Sequence, residues 1–319
     1  MEWLSDSLAW LQDGLFEAVV QPLAFAMGLG GILEQAFDAT GWFLVGVMQL
    51  LIMVLVMGPL ERWRPFEPIV DRAAVRTDIL YTVIHRLGLF RLALFFLLDP
   101  PLQSALGWLR GEGIGTFHLD ALWPGVTDIP WVTFVLYLVV FDALAYGVHR
   151  AQHQWSWWWA LHALHHSQRQ MTMWTDNRNH LLDDVIQSVI WVVVAQAIGV
   201  GPGQFVALVA FTQLSESFQH ANLRCSFGRW GERLWISPRF HRLHHAMGLG
   251  HESAPGVLGG HNFGVLLPWW DMLLGTARFD AHVGATGIRD QVEQGVDYGQ
   301  GWWAQQALGM QRWWQALRT

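Results

Sequence analysis

Three short histidine motifs constrain this 319-residue chain more than any other feature. One is HxxxH and the other two are both HxxHH, and together they hold eight of the fifteen histidines. Histidines that only pack or face solvent would be scattered, whereas neutral imidazole is the commonest metal ligand in proteins. Eight clustered imidazoles exceed what a single ion accepts, so the motifs predict a site for two metal ions. The predicted ligands are His149, His153, His162, His165, His166, His241, His244 and His245.

Helical spacing predicts how each motif divides its imidazoles between two ions. Residues four apart share a helix face, so His149 and His153 are expected to approach one ion together. In each HxxHH motif the first and second histidines are expected to share a face. The third is expected to turn about 100° away, toward a second ion.

The composition indicates a membrane protein. Hydrophobic residues make up 52% and charged residues only 14%, whereas a soluble domain carries about 25% charged residues. The 21 tryptophans favour a membrane interface with surrounding lipids. A net charge of −7 argues against a nucleic-acid partner. The single Cys225 excludes an intrachain disulfide and any four-thiolate metal site.

Apolar segments predict several membrane crossings. Residues 42–60 are the clearest span because they carry no charge and approach the ~20 residues that a crossing needs. Further spans are expected at 79–99 and 129–148, and a helical hairpin at 185–218. Residues 15–37 are interrupted by a proline and glycines, so spanning and surface-lying arrangements both stay open. The acidic start of the chain predicts no cleavable signal peptide.

The predicted fold is all-α: a polytopic integral membrane helical bundle with a cytoplasmic, histidine-rich helical cap. Residues 1–60 are expected to form a membrane or interfacial segment, 61–283 the metal domain, and 284–319 an interfacial tail. The arginine-rich loop at 61–78 should be cytoplasmic, and the hairpin keeps all histidine motifs on that side. The absence of lysine, together with the compact length, favours a bacterial inner membrane.

The histidine motifs resemble those of a known family. FDALAYGVHRAQH, LHALHHS and SPRFHRLHHA are similar to the three histidine boxes of the fatty acid hydroxylase/sterol desaturase superfamily. GPLERWRP, HANLR and NFGVLLPWWDMLLGT are similar too, so the resemblance covers residues 58–276. It implies a non-haem di-iron oxygenase that uses two Fe ions and O2 to hydroxylate or desaturate a lipid, sterol or carotenoid-like substrate. Electrons are expected from a separate ferredoxin or cytochrome b5 type donor with its reductase.

The resemblance also implies two further ligands. His220 matches the family in the stretch HANL and is expected as a ninth ligand. His180 is expected as a tenth, because it stands where the family shows an Arg-x-His-Pro-x-Glu pattern. Here Leu181 replaces the proline and Asp183 takes the glutamate position. The family usually places an acidic residue shortly before NFG, where this chain has Gly260.

Other polar residues leave alternatives open. Asp142 precedes His149 by two helical turns, and is expected either to orient a ligating imidazole or to face water. Residues 246–261 are glycine-rich, and their two histidines are open as ligands, pocket residues or solvated side chains, with solvation favoured: His251 and His261. Structural or surface roles are expected for His85, His118 and His282.

Two other functional classes compete with an oxygenase. A zinc-dependent membrane hydrolase would need the general base of an HExxH motif, but HRAQH has Arg150 in that position. A metal-storage or haem-binding protein would need no reactive site, and haem takes only one or two axial histidines. Metal content distinguishes these classes, since they predict two irons, one zinc or haem.

Overall fold

Helices make up most of the chain, as the sequence predicts. The structure is a computed structural model that describes residues 2–280 and 282–318. The α-helices are α1 Glu2–Leu15, α2 Gln21–Ala26, α3 Leu33–Ile52, α4 Gly58–Trp63, α5 Arg72–Arg86, α6 Leu89–Gly111, α7 Pro130–Gln154, α8 Ser156–His166, α9 Leu181–Ala197, α10 Pro202–His220, α11 Gly228–Gly231, α12 Pro238–His244, α13 Trp269–Leu273, α14 Arg289–Glu293 and α15 Trp302–Ala316. Two short strands, β1 Glu252–Ala254 and β2 Val257–Leu258, form an antiparallel hairpin.

Shorter helical segments connect some of these helices. Wide π-type turns occupy Phe16–Val20 and Met53–Met57, and tight 3-10 turns occupy Gly30–Ile32, Leu119–Ala121 and Thr175–Asn177. The turn at Met53–Met57 joins α3 to α4, so that one helical stretch runs from Gly30 to Trp63. This stretch and α7 are both long and apolar enough to cross a membrane. They contain most of the predicted spans at 42–60 and 129–148.

Residues 15–37 do not form a single span. The chain turns back after α2, where Gly28 adopts a left-handed conformation with φ of 74°. α1 then lies along α3, because the Gln12 side-chain amide donates to the Phe37 carbonyl oxygen over 2.9 Å. The rings of Phe16 and Phe37 also meet edge to face, 5.2 Å apart. The segment therefore folds as two helices joined by a turn and not as one continuous helix.

The predicted span at 79–99 is wrong as a single helix. α5 ends at Arg86, Gly88 is left-handed with φ of 75°, and α6 begins at Leu89. The buried Arg86 guanidinium donates to the Asp176 carboxylate over 2.9 Å and to the Ser217 hydroxyl over 2.7 Å. A guanidinium is costly in lipid and tolerable when it is paired inside protein, so α5 turns toward the core instead.

α9 and α10 form the predicted helical hairpin. Its turn lies beside the beginning of α7, since the Tyr137 hydroxyl donates to the Gly199 carbonyl oxygen over 3.1 Å. The backbone N–H of Phe117 donates to Ala197 at the same end. A buried cluster joins the hairpin to α7 and to the segment before α13: Tyr137, Leu138, Phe141, Ala195, Leu208, Leu266 and Leu267. The histidine-bearing ends of α7 and α10 therefore lie together, away from the hairpin turn.

The C-terminal helix α15 packs on protein along one face. Gln306 accepts from His180 through its carbonyl oxygen over 2.9 Å, and its side chain donates to the Tyr81 hydroxyl over 2.9 Å. Trp303 and Trp314 point outward, with 81% and 53% of their surfaces exposed. The tail is thus docked on α5 and α8, with two exposed tryptophans left for an interface.

Candidate metal centre

Nine buried histidines converge in two adjacent groups. Within each group, one ring nitrogen from every histidine lies within 4.8 Å of those from all the others. The first group is His149, His153, His162, His166 and His244, and the second group is His165, His220, His241 and His245. The fold therefore brings together all eight motif histidines and His220, while their role as ligands remains a prediction.

The histidines of each HxxHH motif are divided between the two groups in a different way from the one that the sequence predicted. On α8, His162 and His166 share the first group, and the middle histidine, His165, joins the second. At the end of α12, His241 and the capping residue His245 share the second group, and His244 joins the first. The reason is the helical period of 3.6, because a residue four positions on is offset by about 40° and one three positions on by about 60°. The expected pairing of His149 with His153 in one group is confirmed.

In the first group, backbone carbonyl oxygens contact the outer nitrogens of two imidazoles. His149 Nδ1 lies 2.9 Å from the Phe263 carbonyl oxygen, and His244 Nδ1 lies 2.8 Å from that of His261. A carbonyl oxygen only accepts, so each Nδ1 carries the proton and each Nε2 presents a lone pair. These inward Nε2 atoms have no hydrogen-bond partner among the residues that the structure describes. Buried lone pairs of this kind fit a metal ion.

In the second group, the inner nitrogens themselves are close together. His220 Nδ1 donates to the Glu216 carbonyl oxygen over 2.7 Å, which leaves a lone pair on Nε2. That Nε2 lies 3.1 Å from His165 Nε2 and 3.0 Å from His241 Nε2. Imidazole nitrogens bound to one ion at about 2.1 Å and at right angles would be about 3 Å apart. The spacing of this group therefore fits the coordination shell of one metal.

Burial keeps the imidazoles outside the candidate spans neutral. Removal from water disfavours the imidazolium form, and neighbouring imidazoles lower each pKa further. Both effects place the pKa well below its usual value for His165, His166, His241, His244 and His245. At neutral pH these rings carry no proton on the inward nitrogen, which is the form that binds a metal.

Asp183 orients His162 from outside the first group. Its buried carboxylate lies 3.3 Å from His162 Nδ1, and it accepts from Gln152 over 2.8 Å and from the Trp158 indole over 2.7 Å. Donors on α7 and α8 thus fix the carboxylate that faces the imidazole. Carboxylates behind metal-bound histidines set the ring tautomer and orientation.

Asp142 does not face water, and it supports His149 only indirectly. It is buried, and it accepts from the backbone N–H groups of Leu266 and Leu267 and from the Trp270 indole, over 2.7, 3.2 and 2.9 Å. It does not contact His149 directly. Instead it holds the chain segment whose Phe263 carbonyl oxygen accepts from His149.

Asp271 supports the same segment and was not singled out from the sequence. Its carboxylate accepts from the backbone N–H groups of Phe263 and Gly264, over 2.9 and 2.7 Å. The acidic residue that the family places before NFG is Gly260 here, and the His261 carbonyl oxygen contacts His244 instead. Asp271 lies inside NFGVLLPWWDMLLGT, which is similar to the family, and this position was the sequence signal that could have identified it.

The assignment of His180 as a tenth ligand needs correction. His180 belongs to neither group. Its Nδ1 accepts from the Leu182 backbone N–H over 3.2 Å and caps α9, so the proton lies on Nε2, which donates to Gln306. Both nitrogens are therefore engaged, and His180 instead joins α9 to α15.

His251 is buried, which contradicts the favoured expectation of a solvated side chain. Only 1% of its surface is exposed, and its ring stacks on Trp159 with centroids 5.1 Å apart. The ring lies 5.6 Å from that of His166, in the first group. Burial lowers the pKa of His251 to about 4. The glycine-rich sequence around it gave no sign that tertiary packing would enclose this residue.

The remaining histidines lie outside the two groups. His261 is partly buried and its Nδ1 contacts the Leu249 carbonyl oxygen, while His85 lies 3.5 Å from Asp184. His118 is 59% exposed and His282 is exposed, in agreement with the expected surface roles. Among the described residues, the two groups are the only clusters of three or more possible metal ligands.

Two of the companion motifs meet beside the second group. Glu61, in GPLERWRP, is half-buried and accepts from the backbone N–H groups of Met173 and Asn222, over 2.8 and 2.7 Å. Arg224, at the end of HANLR, donates through its backbone N–H to the Arg64 carbonyl oxygen over 2.9 Å. These contacts tie α4 to the turn that follows His220.

A cavity of about 460 Å³ adjoins both groups and continues between α7, α9 and α10. Five histidines form one end of it: His149, His162, His165, His220 and His241. Apolar side chains line the part between the helices, among them Leu138, Phe141, Trp191, Val192, Phe205 and Leu208. Carboxylates and amides also reach the cavity, including Asp176, Asp184, Gln187, Gln213 and Glu216. The cavity can hold an apolar chain with a polar group beside the histidines.

Residues 134–276 match the profile of the fatty acid hydroxylase family, and this segment contains all nine grouped histidines and Asp183. This match confirms the resemblance of the histidine boxes to the fatty acid hydroxylase/sterol desaturase superfamily. No solved structure matches the chain significantly.

Three curated proteins illustrate the range of this superfamily. Ornithine lipid hydroxylase OlsE of Rhizobium tropici is 26% identical over 264 residues, which are 80% of this chain and 73% of that protein. Alkylglycerol monooxygenase of Caenorhabditis elegans is 24% identical over 54% of this chain and 33% of that protein. Delta(7)-sterol 5(6)-desaturase ERG3B of Gibberella zeae is 27% identical over 44% of this chain and 42% of that protein. All three are named as lipid- or sterol-modifying oxidoreductases.

Proposed function

We propose that this protein is a membrane-bound non-haem di-iron oxygenase that hydroxylates a lipid-like substrate. The observation that carries the proposal is the convergence of nine buried histidines in two adjacent groups beside one cavity. Each group would hold one iron. The curated relatives, which are named for lipid hydroxylation, ether-lipid monooxygenation and sterol desaturation, support the same reaction class.

The iron ions, when bound, would supply the activation of O2. The overall reaction consumes one O2, two electrons and two protons; a C–H bond becomes C–OH and the second oxygen atom leaves as water. Electrons would come from a separate ferredoxin or cytochrome b5 type donor with its reductase. Histidine ligands suit this reaction because they contain no thiolate that an oxidant would consume.

The residues of the chain would position the substrate and the ions. Carbonyl oxygens behind His149 and His244, and the carboxylate behind His162, orient the imidazoles before any metal binds. The apolar wall of the cavity would hold the hydrocarbon part of the substrate and exclude water from it. Hydroxylation replaces one hydrogen atom by a hydroxyl group, whereas desaturation removes one hydrogen atom from each of two adjacent carbons and inserts no oxygen. Both reactions begin at a C–H bond held beside the metal centre, so both outcomes suit this site.

We also propose an inner-membrane location with the metal centre facing the cytoplasm. The two apolar helices Gly30–Trp63 and α7 support membrane insertion. Both carry site residues near their C-terminal ends, namely Glu61 and the pair His149 and His153. The first of these helices leads directly into the arginine-rich loop at 61–78, which favours the cytoplasmic side.

Isotope labelling of lipids tests the proposed reaction. Membranes that contain the protein, a reductant system and 18O2 should yield lipids with one 18O atom per new hydroxyl group. Membranes with His165→Ala should yield none although the variant still inserts, whereas His282→Ala, which alters an exposed residue, should retain the activity. Loss of two hydrogen atoms without label would indicate desaturation. The proposal fails if wild-type membranes show neither change.

A further inference from the structure

Three tryptophans at the start of α8 form a stack that leads from the protein surface toward the metal centre. The rings of Trp157 and Trp158 are 5.1 Å apart and inclined by only 11°. The Trp155 ring lies 6.1 Å from the first of these and 5.9 Å from the second, inclined by 25° and 27°. Trp155 is 52% exposed, Trp157 is half-buried and Trp158 is 5% exposed. The stack therefore has one end at the surface and the other in the interior.

The inner end of the stack is connected to the first histidine group by two short contacts. The Trp158 indole N–H donates to the Asp183 carboxylate over 2.7 Å. The same carboxylate lies 3.3 Å from His162 Nδ1. Indole is among the side chains that lose a single electron most readily, and an adjacent negative charge stabilises the cation that results. Trp158 is therefore the oxidisable ring that this carboxylate joins to the metal centre.

Membrane anchoring is the competing role for tryptophans in such a protein. Trp303 and Trp314 fit that role, because they point outward from α15. Trp158 does not, because its ring is buried and its N–H is directed at a carboxylate beside a grouped histidine. Anchoring requires neither a buried ring nor near-parallel neighbours, so the arrangement of this stack favours a second role.

We propose that the stack protects the metal centre from its own oxidising power when the cavity holds no substrate. This inference rests on the proposed function, since a site that oxidises a C–H bond also oxidises indole. A substrate in the cavity places its C–H bond beside the metals and reacts there directly. In an empty cavity the nearest electrons available without damage to the imidazoles are those of the stacked rings.

The electrons would move inward along the stack. Trp158 would give one electron to the oxidised site, while its N–H proton stays in the hydrogen bond to Asp183. Trp157 and Trp155 would each give one electron to the ring before them. A one-electron reductant outside the protein, such as ascorbate, would then reduce Trp155. Two such electrons and two protons from solvent convert the unused oxygen atom to water, and every tryptophan returns to its original state.

Hydrogen peroxide tests the inference, because it supplies the oxygen of O2 together with two electrons and two protons. Iron-loaded protein in detergent micelles without lipid substrate is treated with peroxide, and oxidised tryptophans are mapped by peptide mass spectrometry. Wild-type protein should be oxidised more at Trp155 than at Trp230, which is 72% exposed and lies on α11. Ascorbate should lower the oxidation of Trp155, and iron-free protein should show only background oxidation.

Two variants distinguish the stack from attack by diffusing radicals. Trp158→Phe keeps an aromatic ring but removes the oxidisable indole, so Trp155 should be oxidised only to the level of the iron-free protein. Trp155→Phe, at an exposed position, should shift the oxidation to Trp157. Trp230→Phe is the matched control and should leave the oxidation of Trp155 unchanged. Because Trp158 contacts Asp183, all variants are compared at equal iron content.

Three results would overturn the inference. Equal oxidation of Trp155 and Trp230 in the wild type would do so without any variant, even if Trp158→Phe failed to fold. Oxidation of Trp155 that persists in iron-loaded Trp158→Phe would exclude the buried ring as the route. Absence of iron from the wild type would refute the proposed function and this inference together. By contrast, 18O-labelled lipid from a protein whose Trp155 is not preferentially oxidised would refute the inference alone.

Discussion

Backbone carbonyl oxygens orient two imidazoles of the first group. The carbonyls of His261 and Phe263 contact His244 and His149, and they flank Asn262, whose φ is 62°. Asparagine adopts this left-handed conformation more readily than most residues. Its side chain is also bonded to the backbone of Phe240 and Arg278, which holds both carbonyls in place.

Asp183→Asn should weaken metal binding, because an amide donor would replace one of the two oxygens that accept from Gln152, Trp158 and His162. Loss of such an outer contact typically costs 10-fold to 100-fold in metal affinity. Iron retained after dialysis against a chelator measures the effect. Asp120→Asn, whose carboxylate is 44% exposed, is the matched control. Equal iron retention by both variants would argue against an orienting role for Asp183.

The sequence predicted which histidines converge, but it did not predict all of the residues that surround them. Motif spacing identified eight of the nine, and similarity to the family added His220. His180 stood in a family-like position, yet its surroundings differ because α15 supplies a carbonyl oxygen to it. The contacts of Asp142 and the burial of His251 both depend on segments more than 90 residues away in sequence, and local patterns do not encode such contacts.

Among the helices, periodicity and hydropathy identified the long elements and missed their breaks. The hairpin of α9 and α10 follows from two apolar runs around Pro202 and Gly203. By contrast, the apolar run at 79–99 is interrupted at Gly88, whose left-handed conformation separates α5 from α6, and Arg86 at the end of α5 pairs with Asp176. Hydropathy averages conceal a single buried ion pair, so the predicted span was too long.

Gly309→Ala should destabilise the docking of α15. A Cβ at this position would lie 2.4 Å from His180 Cδ2, and His180 is held by hydrogen bonds from both ring nitrogens. The expected loss is about 1–3 kcal/mol of unfolding free energy, as for other overpacked contacts. Gly14→Ala, which meets no atom within 4 Å, should instead stabilise its helix by up to about 1 kcal/mol. Thermal unfolding in detergent compares the two variants, and equal stability would contradict the predicted clash.

The histidine groups lie at one end of the molecule, the metal end, and the turn between α9 and α10 lies at the opposite end. The segment at 114–121, the turn between α9 and α10, and the beginning of α7 are joined at the opposite end by contacts from Phe117 and Tyr137. Glu61 and all nine grouped histidines belong to the metal end. A polytopic arrangement in a membrane would place these two ends on different sides.

Reporter fusions test this sidedness. Fusions after Arg169 and after Ala246 should both be cytoplasmic, because both positions directly follow histidine motifs at the metal end. A fusion near Gly113 should be external, since the adjoining segment contacts the hairpin turn. Reporter activity in intact cells gives the side of each fusion. Opposite sides for the first two fusions would be incompatible with a single metal centre.

The central claim is that two irons bind in two histidine groups, and iron titration of the purified chain tests it most directly. Anaerobic addition of Fe(II) followed by elemental analysis should saturate at two ions per chain. His245→Ala, which removes one of the four histidines of the second group, should saturate at one, and His282→Ala at two. Saturation of the wild type at one ion, or no binding by the folded protein, would contradict the account.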